Sequence, residues 1–219
     1  PLDDVRVRQA LNLALDREAF VGTIFSADVQ IASQVVLPMI FGHNPDIAPW
    51  PYDPERARAL LAEARADGVP VDRPITLYGR PGFFPNTPDV LTALAEMWKA
   101  VGLDVSTRMI ERGQFAELVR QSDVGPETRQ PALFLNSHGN ASGDAGTSLY
   151  FKYHSESPAS EINDPRLDAL INEGRMLPGE ERRQRFNEAF RIVTEDYVAD
   201  LQLFHMVGFA RVSPRIGFT

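Results

Sequence analysis

Residues 75–110 constrain the fold more than any other stretch of this chain. Ile75-Thr76-Leu77-Tyr78-Gly79 is an apolar run of strand length closed by a glycine. Thr87-Pro88 then opens a helix, with Leu91, Leu94, Ala95 and Trp98 facing inward at helical spacing and Gly102 as the stop. Residues 103–110 form a second strand, with Leu103, Val105, Thr107 and Met109 on one face. Strand, helix and strand in that order form a βαβ unit, which predicts that the two strands run parallel. The chain is thereby predicted to be α/β, with helices covering a sheet.

The flanking segments fit that class. Residues 4–25 carry Val7, Ala10, Leu11, Ala14 and Leu15 at helical spacing, with Asp3 or Asp4 as N-cap and Arg6, Arg8, Asp16, Arg17 and Glu18 on a solvated face. Residues 26–52 have no period and hold four prolines, Pro38, Pro45, Pro49 and Pro51. A connection of that length is functional or packs against a neighbour. Asp53-Pro54 and Asp164-Pro165 both read as a cap followed by a first-turn proline, where the missing amide does no harm. The first helix turns Ala57, Leu60, Leu61 and Ala64 inward, and the second Leu167, Leu170 and Ile171. Phe115, Leu118 and Val119 suggest a short helix, and Phe186, Phe190, Val193 and Tyr197 a longer one from about residue 180. Strand-like runs cover 132–135, 201–206 and 207–212. No repeat or linker interrupts the chain, so residues 1–219 are predicted to be one α/β lobe with a mixed sheet.

Several function classes are excluded or disfavoured. A net charge of −8 with no basic block argues against nucleic acid as a partner. The absence of cysteine removes disulfides, thiolate metal sites and a cysteine nucleophile. His43, His138, His154 and His205 are dispersed, without the spacing of metal ligands, and no phosphate-loop, dinucleotide or nucleophile-elbow motif occurs. No enzyme is predicted and no cofactor is implied. The chain begins at Pro1, which reads as a piece of a longer protein, so location is not legible from a targeting signal.

Chemistry concentrates in residues 131–155. The apolar run Ala132-Leu133-Phe134-Leu135 suggests a buried strand, and it opens into the polar, glycine-rich stretch Asn136-Ser137-His138-Gly139-Asn140-Ala141-Ser142-Gly143-Asp144. A strand that ends this way places donors and acceptors at a sheet edge, where open α/β folds bind ligands. The alternative is a surface loop whose Asn, Ser and Gly only form turns. Asp144 is either a ligand contact or the N-cap of a helix starting near Ala145. Tyr150, Phe151 and Tyr153 are expected to fill core. The candidate contacts are Asn136, His138, Asn140, Ser142 and Asp144, joined by Arg80 and Phe83 from the loop after residue 79.

Five blocks in order carry a family resemblance. They are Asp4-Val5-Arg6-Val7-Arg8-Gln9-Ala10-Leu11, Tyr52-Asp53-Pro54-Glu55-Arg56-Ala57-Arg58, Trp98-Lys99-Ala100-Val101-Gly102-Leu103-Asp104-Val105, Asn163-Asp164-Pro165-Arg166-Leu167-Asp168-Ala169-Leu170-Ile171, and residues 181–205. Together they resemble the family 5 extracytoplasmic solute-binding proteins of ABC importers, the class that carries peptides, nickel, glutathione or oligosaccharides. The resemblance implies a periplasmic-binding-protein-like lobe, the C-terminal one of two, which closes with an N-terminal lobe over a small-molecule or peptide solute and delivers it to an inner-membrane ABC permease. It implies a periplasmic or other extracytoplasmic location. Peptide receptors of this family carry an aspartate in the polar segment that pairs with the ligand's amino terminus. Here Ala141 or Ser142 occupies that place, and Asp144 falls on a neighbouring acidic position. Saccharide, opine and modified-peptide solutes therefore stay open, while nickel lacks the clustered histidines it would need. An alternative is the cytoplasmic ligand-sensing domain of a transcriptional regulator built on the same lobe.

Overall fold

A computed structural model describes residues 1–82, 86–114, 118 and 130–207. Its centre is the predicted βαβ unit. Strand β2 (Ile75–Gly79) lies between β3 (Val105–Met109) and β4 (Ala132–Phe134), and both pairings are parallel. Helix α3 (Thr87–Ala100) makes the crossover. It packs closely enough on the end of β2 that a Cβ on Gly79 would lie 2.6 Å from Leu91 Cδ1. Parallel and antiparallel pairing both occur, in separate sheets: β1 (Gln30–Ile31) pairs antiparallel with β5 (Phe204–His205).

Two apolar clusters hold the chain. One joins α1 (Val5–Leu13), α2 (Pro54–Ala66), α3 and the parallel sheet through Leu11, Leu61, Ile75, Leu94 and Trp98. The Trp98 indole donates to Leu11 O at 2.9 Å, so this buried ring leaves no unsatisfied donor. The other joins α4 (Ala145–Tyr153), α5 (Pro165–Met176) and α6 (Gly179–Arg191) through Leu149, Leu167, Ile171 and Phe186. Both Asp-Pro caps form as expected: Asp53 accepts from Arg56 N, and Asp164 from Arg166 N and Leu167 N.

Four expectations change. The first helix ends at Leu13 instead of running to residue 25, and a single 3-10 turn follows at Glu18–Phe20. Arg17, expected on a solvated face, is only 4 % exposed. Its guanidinium donates to Asn12 O, Asn12 Oδ1 and Gln202 O at 3.1, 2.7 and 2.7 Å, so it caps the helix end from inside. Burial lowers its pKa to about 10. Strand β3 lies at a sheet edge, and beyond Val105 its side chains, including Thr107 and Met109, are exposed. Strand β4 is half-buried because it too is an edge, paired only with β2. The expected helix at Phe115 and Val119 and the end of the last strand, 208–212, lie outside the described residues.

Candidate functional site

Because β2 and β4 are parallel, their C-terminal ends open on the same edge. The ladder continues one step past β4, with Leu135 N donating to Tyr78 O at 2.8 Å. The Tyr78 and Phe134 rings stack at 5.2 Å. Immediately beyond, Arg80 Nη2 donates to Asn136 Oδ1 at 2.9 Å. The structure thus brings together Arg80 and the polar loop, which lie 56 residues apart in sequence. Phe83 lies outside the described residues.

Residues 136–144 are not a loose turn. Asn140 Nδ2 donates to Asp144 O and to Ser148 Oγ, both at 2.8 Å. Its Oδ1 accepts from Ser142 Oγ and Gly143 N, both at 3.0 Å. All four hydrogen-bonding positions of this amide therefore serve the loop and the helix that follows it. Gly143 has φ of 69°, a left-handed conformation that glycine adopts without strain. Ser142 Oγ also reaches Asp144 O at 3.2 Å. Ser148, buried in the helix that follows (Ala145–Tyr153), is a second hub, because its hydroxyl also meets His138 Nε2 at 2.8 Å.

Asp144 forms the far anchor. It is the N-cap of α4, with Oδ1 accepting from Gly146 N at 2.8 Å. The same carboxylate receives Arg182 of α6 in a two-pronged pair, Nη2 to Oδ1 at 2.8 Å and Nε to Oδ2 at 3.1 Å. Arg182 Nη1 also donates to Gly174 O and Arg175 O at the end of α5, at 2.9 and 3.1 Å. Its guanidinium lies 4.9 Å from the centre of the Phe186 ring. One arginine thus ties the loop to two helices.

The outward chemistry of the edge is correspondingly simple. Asn136 is exposed, and its Oδ1 accepts from Arg80 and from Ser137 N. His138 is partly buried and stacks on Phe151 at 6.1 Å. Burial, followed by the nearby Lys152 charge, lowers the His138 pKa against a smaller opposing pull from Asp200, so the ring is neutral at pH 7. Lys152 pairs with Asp200 at 2.8 Å. Tyr153 fills core as expected, and burial together with Asp200 raises its pKa well above 10. Phe151 does not fill core, being 53 % exposed. Tyr150 is half-buried, packed against the helix cluster with its hydroxyl donating to Glu156 at 3.1 Å, and a further step of 100° along α4 carries Phe151 to the solvent side. Sequence reading missed Ser148, Arg182 and the outward Phe151. Only helical phase gave a signal, and only for Phe151. A separate cleft of about 300 Å³, bordered by Asn44, Ile47, Asn187 and Arg191, shares no residue with the loop. Among the described residues no group of three or more His, Asp or Glu side chains is arranged to hold a metal.

A family profile described as bacterial extracellular solute-binding proteins, family 5 Middle, matches residues 1–159. Heme-binding protein A of Haemophilus influenzae is 27% identical over 219 residues, covering 99% of this chain and 39% of its own length. A probable di/tripeptide-binding protein 5 of Pseudomonas aeruginosa is 30% identical over 219 residues, covering 96% of this chain and 39% of its own. The chain therefore spans 39% of the length of these relatives. Among solved structures, HbpA2 from Haemophilus parasuis superposes with a TM-score of 0.79 at 21% identity, covering 92% of this chain and 39% of that one. The dipeptide binding protein from Pseudoalteromonas sp. SM9913, solved with Met-Leu, gives 0.77 at 18%, covering 94% and 40%. At these identities the superpositions show a shared fold.

Proposed function

The chain belongs to the bacterial extracellular solute-binding proteins of family 5, and from that premise we propose that it is the C-terminal lobe of an ABC-importer receptor, gripping its solute with residues 136–144 and Arg80. Proteins of this family bind and hand over solutes, and the chain is a binding protein, not an enzyme. None of the proteins named above supports a cytoplasmic regulator. The solute is peptide-like or another small polar molecule, a reading supported by the di/tripeptide-binding relative and the Met-Leu complex.

The observation that carries the reading is the joining of two parallel-strand ends by the Arg80–Asn136 bond, beside a loop whose shape is fixed from within. Asn136, His138 and the backbone of the exposed loop residues make the direct contacts. Asn140, Ser142 and Asp144 hold the shape that presents them. An N-terminal lobe closes over the solute from the other side of a cleft. Closure follows only if the solute makes contacts in the closed form that the open form lacks. The closed receptor then docks on its permease in the inner membrane, and the protein works in the periplasm. No helix among the described residues is long and apolar enough to cross a membrane.

The test is to purify the full-length protein, identify the copurifying solute by mass spectrometry, and titrate it back after its removal. Asn136→Ala and His138→Ala should each weaken binding by about fivefold or more, the equivalent of one lost hydrogen bond of about 1 kcal/mol. Unchanged affinity in both variants would move the grip elsewhere.

A further inference from the structure

The polar loop has one carboxylate, Asp144, and each of its oxygens already accepts from a donor inside the protein. Resting on the solute-capture reading above, we propose that the solute meets this loop with an uncharged amide or hydroxyl group and not with an ammonium.

Three features of the structure converge on that class. First, an ammonium approaching Asp144 Oδ1 would meet Arg182 Nη2, which already sits 2.8 Å from that oxygen, so two cations would compete for one acceptor. Displacing Arg182 breaks two charge-assisted bonds and leaves a partly buried guanidinium on the carbonyls of Gly174 and Arg175 alone. Second, among the described residues the other charges near the loop add no available anion. Arg80 is a cation bonded to Asn136, His138 is neutral at pH 7, and Asp200 is paired with Lys152 while also accepting from the Tyr153 hydroxyl. Glu111 follows the end of β3, two strands and therefore about 10 Å from the β4 end. Third, the outward groups are neutral and suited to amides and hydroxyls. They are the Asn136 amide and the backbone of exposed Ser137, Gly139 and Ala141, beside the partly buried imidazole of His138. A small neutral group fits this lining, and a buried ammonium without a carboxylate does not.

The discriminating experiment compares two probes on the full-length receptor, Ala-Ala-Ala and N-acetyl-Ala-Ala-Ala, by calorimetric titration of the wild type and of Asp144→Asn. Asparagine keeps the helix cap while removing the charge. The quantity read is the ratio of the two dissociation constants. The proposal expects this ratio to stay within about twofold between wild type and variant, because no ammonium rests on Asp144. A change of tenfold or more, with the free peptide losing its advantage in the variant, overturns it. Binding of neither peptide to the wild type is a different failure, contradicting the peptide-like reading and removing the proposal with it. Urea melts of both proteins check that the variant is folded.

Discussion

The pair Asp144–Arg182 ties the polar loop to α6, and replacing Asp144 by alanine puts a number on it. The carboxylate has two jobs. As N-cap it accepts from Gly146 N, and losing a cap costs about 1 kcal/mol. As partner of Arg182 it lies between the surface and buried regimes, with side chains 27 % and 22 % exposed. Exposed pairs contribute about 0–1 kcal/mol, and breaking a fully buried one costs about 3–5, so an intermediate pair warrants about 1–3. Asp144→Ala should therefore lose about 2–4 kcal/mol, read as a shift in the urea midpoint of the full-length protein at constant slope. Asp144→Asn keeps the cap and should lose only the ion-pair share. Arg182→Ala supplies the control, because in a double-mutant cycle the two losses should overlap by about 1–3 kcal/mol. Strict additivity would show that the two side chains do not support each other and that the loop is anchored some other way.

Two further outcomes follow from packing and titration. A Cβ on Gly174 would lie 2.5 Å from Phe186 Cε1, inside a ring that is fully buried. Gly174→Ala should thus destabilise by about 1–3 kcal/mol despite alanine's better helix propensity, measured as a fall in the urea midpoint. Burial lowers the pKa values of His43, His138 and His205 below the 6.5 of the unfolded chain. Their stabilising share is present above pH 6.5 and is lost as pH falls through the lowered folded values. Stability measured at pH 7.5 and pH 5 should decline on acidification, and His138→Gln should flatten the decline. A slope unchanged in that variant would show that His138 takes no part.

What the sequence revealed was local, and what it concealed was not. The two Asp-Pro caps, strand 75–79 and the α3 face of Leu91, Leu94, Ala95 and Trp98 all rest on neighbours within a turn or two, and each is found where expected. The parallel pairing of β2 and β3 followed from the length of the crossover. The end of α1 was not legible, since Arg17 finds an acceptor at Gln202, 185 residues away. The candidate loop was recognisable by composition, as was the capping role weighed for Asp144. Its partner Arg182 was not, because nothing separates it from the adjacent Arg183 and Arg185 until α6 is folded against α4. Chain periodicity tells which face of a helix is buried, but not which of several surface arginines meets a carboxylate 38 residues earlier.

Hydrogen exchange on the full-length receptor, with and without its copurified solute, addresses the placement of the grip most directly. Amides of residues 136–144, together with those just after β2, should slow on addition of solute. Protection confined to the cleft around Asn44 and Asn187, with residues 136–144 exchanging at their solute-free rate, would contradict it.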